Sequence, residues 1–496
     1  MISSNKNFNF SIKKQLKRTN SKFAKKFIQN LLNNKKKIFV YENNDKYSGE
    51  NLIKKIFIQS KKFFLNKKKI VILNSKNSTN WVILYITAKL MNKIVFIVHD
   101  NLKKELLKKI YKEFSIVGIF QGDEFIINNE NNTLKKDQIF KKNTIYDCVF
   151  TSGSSGYPKA VCIKESSYIF TSKLLIKKSR QTKKDLELLS MPFSHSFGLA
   201  RLRVMINNNQ PFFISDGLKD FPKVYKKILK YEINGLSLVP SAIEIIKFLL
   251  KKNAKLFGSQ FKYFEIGSDI LSNDNRKWLK NNFLYTNIFH HYGTTEASRS
   301  FFVDRGNKDN LSNPSNNVGH VGKGVEFKIK SLKKNKNHNI GEIFIKGPHL
   351  AEGYFEINKN IKFIPIGKWF PTQDVGFVNN KELILLGRLN SMINVGGQKV
   401  YPEEIEKIVN KLDAIKDSIC SSLQDRILKE VPGLIVEKSK NSKILNKNLI
   451  IQIKDTLKDL PSYKRPKKII FINKLPKTQN GKKVRSKKIL EKFFKD

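Results

Sequence analysis

"KKKIVILN" (67–74), "NSTNWVILYITAKL" (77–90) and "NKIVFIV" (92–98) follow one another with only a few residues between them. The first and third are short, continuous apolar runs, as expected of strands buried on both faces. The middle one is long enough for a helix and has Asn and Ser at its start. "NLKKELLKKIYKEF" (101–114) then reads as an amphipathic helix and "SIVGIF" (115–120) as a third strand. Strand and helix alternating at this spacing imply parallel strands joined by crossover helices, hence a layered α/β domain.

Working outward, the rhythm persists. "TIYDCVF" (144–150) and "KAVCI" (159–163) read as strands, and "SSYIFTSKLLIKK" (166–178) as a helix with a Ser cap. "PFFISD" (211–216) and "INGLSLVPSAIEIIKFLLKK" (233–252) continue the pattern. "GNKDNLSNPSNN" (306–317) is rich in turn formers, and "SLKKNKNHNIGE" (331–342) reads as a hairpin tip. After "LILLGRLNS" (383–391) the character changes to a short α+β segment. It opens with "YPEEIEKIVNKL" (401–412), where Pro402 sits in the tolerated first turn and glutamates favour the positive helix end. The expected organisation is a basic N-terminal segment (1–36), a large α/β domain (37–387), a hinge (388–390) and a small, mobile α+β C-terminal domain (391–496).

Composition limits the function. The chain has 496 residues, 40% of them hydrophobic, enough for a large core. The formal charge is +52, which invites a nucleic-acid reading. The excess is lysine spread along the whole chain beside Asn, Ile and Phe, with arginine scarce, so it reads as a compositional bias. No specific nucleic-acid partner is expected. The three cysteines form no CxxC or Cys/His pattern, which argues against a disulfide framework or zinc site. Charge interrupts each apolar stretch before membrane-spanning length. "MISSNKNFNFSIKKQLKRTN" (1–20) lacks a signal-peptide core. The expectation is a cytoplasmic protein without a transmembrane segment.

Chemistry concentrates in a few loops. "TSGSSGYPKAV" (151–161) is not a Walker A loop, because Gly153 and Gly156 are too close and Lys159 follows a proline. Glycines nevertheless let backbone N–H groups cradle an anion. Thr151, Ser152, Ser154 and Ser155 add hydroxyls, and Lys159 adds a charge. "HHYGTTEAS" (290–298) holds Tyr292, suited to a purine face, then Gly293, Thr294, Thr295 and a carboxylate, Glu296, suited to Mg2+. "WFPTQDVG" (369–376) offers Asp374 to two ribose hydroxyls. "GRLNSMINVGGQKVYPEEIE" (387–406) adds Arg388 and a double glycine, and "LPKTQNGKKVRS" (475–486) ends on Gly481 and Lys482. Plain alternatives stand beside these: a solvated Lys482, a packed Tyr292, a turn-capping Asp374. The pair His290 and His291 lacks the further ligands of a metal site.

In order and spacing these segments resemble the adenylate-forming superfamily: acyl-CoA synthetases, adenylation domains of peptide synthetases, and firefly luciferase. "MPFSHSFGLA" (191–200), "FEIGSDIL" (264–271) and "GEIFIKGPHLAEGY" (341–354) complete eight matches in family order, from about Lys37 to the end. The resemblance implies an ATP-dependent carboxylic acid–thiol ligase. An acyl-adenylate forms first, then a thioester with coenzyme A or a carrier-protein phosphopantetheine. It implies that Thr151 to Lys159 wrap the β- and γ-phosphates of ATP. Gly267, Ser268 and Tyr292 would form the adenine slot, Thr295 would contact the α-phosphate, and Glu296 would bind Mg2+. Asp374 and Arg388 would hold the ribose, and Lys482 would bridge carboxylate and α-phosphate. Phe197, Gly198, Val239, Pro240 and Ser241 are candidates for the acid pocket. His195 reads either as facing that pocket or as a satisfied histidine. Gly396, Gly397 and Lys399 would line the thiol channel, and Asn390 would be the pivot between two poses.

Three positions depart from the family pattern: Ala160 and Gln373 stand where Gly is common, and Asn390 where Asp or Lys is usual. Two rival functions stay open. One is a stand-alone amino-acid adenylation enzyme, disfavoured because "HSFGLARLR" (195–203) offers no Asp for an α-amine. The other is a basic nucleic-acid-binding or scaffold protein on an inactive copy of the fold.

Overall fold

A computed structural model of the chain describes residues 12–494, apart from 65–67, 75, 100–103, 123, 129–138, 142–143, 145, 152–158, 219, 251–252, 335–337, 358–360, 440–441, 443, 478–482 and 486. By contacts the chain forms two compact units. One comprises the chain up to Glu326 together with Ile345–Phe370; the other comprises Phe327–Phe344 and the chain from Pro371.

The opening alternation folds as a parallel sheet. Ile70–Asn74, Ile94–Ile97, Ile116–Gln121 and Tyr146–Thr151 pair in parallel. The first of these strands is buried at every residue, as its unbroken apolar run requires. The helix Thr79–Leu90 crosses between the first two strands, and its N-cap Ser78 accepts from the Trp81 N–H. This helix is buried on almost every side, which explains its apolar residues all round. Lys159–Lys164 and Gly353–Ile357 extend the sheet antiparallel. In all, the sheet has eight strands among the described residues.

A second sheet in the same unit runs Asn317–Val321, Phe301–Arg305, Asn287–Tyr292, Tyr263–Ile266, Gly235–Leu238, Glu187–Leu189, Phe212–Ile214, Ile38–Glu42, Asp45–Ser48. From Asn287–Tyr292 through Ile38–Glu42 the pairs are parallel. Three apolar clusters fill the layers around the two sheets.

One local expectation fails. The helix Glu165–Ser179 starts before the expected serine, on Lys164, and carries no side-chain cap. Its first residue, Glu165, is buried and accepts from the Ser21 hydroxyl and the Phe23 N–H, so its carboxylate serves the start of the helix Lys22–Asn33.

In the second unit, Glu326–Lys334, Asn339–Lys346, Phe370–Asn379 and Glu382–Arg388 are successive neighbours in a sheet. The residues 371–387, which the sequence groups with the large domain, therefore lie in the second compact unit, because the strand after Trp369 pairs with Asn339–Lys346. The rest is an α+β layer. Ile415–Asp425 and Lys429–Lys438 form a long hairpin, Lys468–Ile472 pairs parallel to it, and the helices Pro402–Val409 and Asn446–Thr456 contribute to its core.

Candidate functional site

Parallel strands present their carboxyl ends together, and loops at those ends are where open α/β sheets bind ligands. Leu238 pairs with Ile266, and Ile266 with His290. Gly267 and Ser268, Val239 with the start of the helix Pro240–Leu250, and the end of the strand at Tyr292 therefore lie at one end of the sheet. Glu187–Leu189 runs parallel to the same set and leads into 190–195 and the helix Ser196–Asn208. His195 is the N-cap of that helix without capping through its side chain, and its ring centroid is 4.1 Å from that of His99.

Close packing holds these loops. A Cβ at Gly267 would lie 2.1 Å from the His291 ring, so only glycine passes there. Ser268 follows with φ of +80°, a conformation costly for a residue with a side chain. A Cβ at Gly293 would lie 2.4 Å from the Arg299 nitrogen. Beyond it, the Thr294 hydroxyl accepts from the Ala297 N–H, folding 293–297 into a tight turn. Thr295 Oγ1 reaches Ser196 Oγ at 3.3 Å, joining the turn to the start of the helix that carries Phe197. A Cβ at Gly198 would lie 2.3 Å from the Pro192 carbonyl oxygen, so the helix packs closely on 191–192 there. Phe197 is buried, edge-on to His291. Val239 and Pro240 are half-buried, and Ser241 is exposed.

Glu296 is half-buried and makes no side-chain hydrogen bond or ion pair among the described residues. A carboxylate left unpaired in a chain of charge +52 is available to a hard cation such as Mg2+. Its carbonyl accepts from the Ala351 N–H, and Ala297 bridges Leu350. Two residues on, Gly353–Ile357 pairs with Lys159–Lys164. The segment 350–357 thus ties the Glu296 turn to the strand that leaves the Gly/Ser loop. Of that loop, Ser152, Gly153, Ser154, Ser155 and Gly156 lie outside the described residues. Its ends are anchored where Thr151 pairs with Lys159. The Lys159 ammonium lies 4.4 Å from the Tyr354 ring centroid and 3.8 Å from Glu356.

Behind these loops lies a buried charge network that the motif reading missed. Glu265 accepts from Arg201 at 2.9 Å and Arg299 at 3.1 Å, and lies 2.8 Å from His291 Nδ1. Arg201 also pairs with Glu187, which accepts from Ser237 and Tyr263. Arg299 donates onward to the Ser196 and Phe197 carbonyls. Burial opposes charge on Glu265, but Arg299, Arg201 and His291 outweigh it and hold the carboxyl well below the usual range. Burial and the Arg299 charge push His291 down, so it is neutral at pH 7. A sequence signal existed: single acidic residues interrupt apolar strands at Asp147, Glu187 and Glu265. Arginine, scarce in a lysine-biased chain, recurs at Arg201, Arg203 and Arg299. Its planar fork suits buried pairing better than lysine's point charge.

In the second unit, Asp374 is buried and pairs across the strands with Arg388, Nε to Oδ1 at 2.7 Å. Gln373, where the family usually has Gly, takes φ of +62°, and its amide donates to Glu342 at 3.0 Å. The expected turn is a strand here, since Gln373 and Asp374 lie within Phe370–Asn379, but the glycine-like backbone angle survives with the glutamine held by that bond. Asn390 is exposed in a short 3-10 turn, Leu389–Ser391, with no left-handed backbone angle. Gly396 and Gly397, at φ of +54° and +89°, form the two-residue turn between Ile393–Val395 and Gln398–Val400. Both angles are positive, as a tight hairpin of this kind demands. Lys399 donates to the Leu332 carbonyl. Gly481 and Lys482 lie outside the described residues. Beside them, Lys483 pairs with Glu406 and Asp417, and Arg485 with Glu406.

The fold and these loops describe a nucleotide-dependent acid-activating enzyme. The AMP-binding enzyme pattern matches residues 64–355 and the AMP-binding enzyme C-terminal domain matches 404–482, so the chain belongs to the AMP-binding enzyme family. Within it, the chain is an AMP-forming acid–thiol ligase. A curated relative, 2-succinylbenzoate–CoA ligase of Oceanobacillus iheyensis, is 25% identical over 78% of this chain and 80% of its own length. The putative long chain fatty acid-CoA ligase VraA of Staphylococcus aureus is 25% identical over 86% and 88%. Among solved structures, o-succinylbenzoate CoA synthetase (MenE) from Bacillus subtilis with AMP gives a TM-score of 0.77 at 18% identity, over 92% of this chain and 96% of that one. ATP-bound MatB from Rhodopseudomonas palustris gives 0.76 at 18%, over 95% and 99%. Among the described residues no helix is long and apolar enough to cross a membrane.

Proposed function

We propose that the chain joins a carboxylic acid to coenzyme A in two steps at the loops described above. A carboxylate oxygen attacks the α-phosphorus of ATP, the bond to the β-phosphate breaks, and pyrophosphate leaves. The thiol sulfur then attacks the acyl carbon, the carbon–oxygen bond to AMP breaks, and the thiol proton passes to solvent. The observation that carries this reading is Glu296. It is a half-buried carboxylate, without a side-chain partner among the described residues, on a turn whose neighbouring segment, 350–357, leads to the strand of the Gly/Ser loop.

Thr151, Ser152 to Gly156 and Lys159 hold the β- and γ-phosphates. Lys159 gives up its loose contact with Glu356 to do so. Gly267, Ser268 and Tyr292 take the adenine, and the Thr295 hydroxyl takes the α-phosphate. Asp374 accepts the ribose hydroxyls, with Arg388 fixing its carboxylate. Glu296 would hold Mg2+, which offsets phosphate charge as pyrophosphate departs. Lys482 stabilises the charge that builds between carboxylate and phosphorus. Asn390 is the pivot that alternates the Lys482 loop with the Gly396–Gly397 turn, along which the pantetheine arm passes. Coenzyme A is favoured over a carrier protein because the curated relatives are CoA ligases by name. The test is ATP–pyrophosphate exchange over a panel of aromatic, dicarboxylic and fatty acids, followed by thioester formation with coenzyme A and with a pantetheinylated carrier protein. Exchange with no acid of the panel, in a folded and Mg2+-supplied preparation, would overturn the proposal.

A further inference from the structure

We propose that a cavity in the first unit, sharing no residue with the nucleotide and acid loops, binds one single-chain fatty carboxylate. Its volume is about 360 Å3, at the small end of the roughly 300–1,000 Å3 usual for ligand sites. That size suits one acyl chain and not two. Three helices supply its floor: Ile28 from Lys22–Asn33, Ile53, Ile56 and Phe57 from Gly49–Phe64, and Leu90 from Thr79–Leu90. Helical residues 12–18 form another wall.

The polar groups that reach the lining are satisfied internally. The Gln15 amide donates to the Leu90 carbonyl and the Ser60 hydroxyl to the Phe57 carbonyl. The floor therefore offers a ligand apolar contact and little else. Lys14, Arg18 and Lys61 also line the cavity, all on exposed residues. Among the described residues, none of them has a carboxylate partner and no acidic residue lines the cavity. An apolar chamber with three cations that meet no carboxylate, one of them Lys61, 5.3 Å from the Phe57 ring centroid, selects a ligand that is apolar along its length and anionic at one end. A neutral alkane would waste the cations, and a nucleotide or sugar phosphate would leave its own polar groups unpaired against isoleucine and phenylalanine.

The full-length protein is titrated by calorimetry with dodecanoate, and with dodecanol as the uncharged match. Dodecanoate should bind one site at least tenfold more tightly than dodecanol. Ile56→Trp fills the chamber and should weaken dodecanoate tenfold or more. The double variant Arg18→Glu, Lys61→Glu should abolish the preference for the carboxylate. In all variants pyrophosphate exchange with the panel acid that gives the highest wild-type rate should stay at the wild-type level. That separates this site from the catalytic one, and failure here leaves the proposed function standing. Should Ile56→Trp not fold, by thermal melt, Met91→Trp at the half-buried rim replaces it. Equal binding of dodecanol and dodecanoate would overturn the proposal. So would undiminished binding by the filled variant, which would place the fatty acid elsewhere. Binding that emerges only after deletion of residues 1–10 would also overturn it, because the chain's own N-terminus would then be the occupant.

Discussion

Replacing Glu265 by glutamine keeps the shape of the side chain and removes the charge that two arginines share. The carboxylate is fully buried, and both its oxygens are used: one takes Arg201, the other Arg299 beside His291. In the variant Arg201 keeps Glu187 and the Gln181 side chain. Arg299 is left with the Ser196 and Phe197 carbonyls and the Ser298 hydroxyl, none of them charged. One buried guanidinium thus loses its only counter-charge among the described residues, and breaking one side of such a pair costs about 3–5 kcal/mol. Against a total of about 5–15 kcal/mol, that is a large share of the stability. All three tryptophans, Trp81, Trp278 and Trp369, lie in the first unit, so tryptophan fluorescence during urea unfolding reports that unit alone. The double variant Glu265→Gln, Arg299→Gln should recover part of the loss, because it removes the orphaned charge. A loss below about 1 kcal/mol in the single variant, or strict additivity in the double, would refute the argument that this network is dry and mutually dependent.

Gly267→Ala puts a methyl group 2.1 Å from the His291 ring, which Glu265 holds in place, so it should cost about 1–3 kcal/mol and raise the KM for ATP. An alanine variant with wild-type KM and melting temperature would contradict the close approach. Acid should destabilise the first unit. Burial lowers the pKa of His349 from 6.5 to about 4 and pushes those of His290 and His291 down as well. The unfolded chain then takes up the proton first, so stability is fully present above pH 6.5 and drains as pH falls through about 4. His349 alone accounts for roughly 3 kcal/mol. His349→Gln should flatten the fall of the urea midpoint between pH 7 and 4, and an unchanged slope would exclude this histidine as a cause. Lys482→Ala should slow adenylate formation about a hundredfold or more and largely spare thioester formation from supplied acyl-adenylate. Equal loss in both half-reactions would dismiss its assignment to the first step.

The sequence alone determined the alternation of buried strands and crossover helices between Ile70 and Gln121, because hydrophobic period and run length are local properties. It also singled out the loops to which the proposed chemistry is assigned, because runs of glycines, hydroxyls and carboxylates are local features of the chain. Even Gln373, which departs from the usual glycine, keeps a left-handed backbone angle, within its strand.

Tertiary structure decided the rest. Whether Glu165 caps a helix or anchors Ser21, 144 residues away, is invisible locally. So is the division of the chain at 371, set by which strand pairs with Asn339–Lys346. The largest gap was the network of Glu187, Arg201, Glu265 and Arg299, whose members come from separate strands, a helix and a loop. No short-range pattern joins them. What joins them is the cost of burying charge: each guanidinium inside the core requires a carboxylate there, and only the packed fold says which carboxylate it meets.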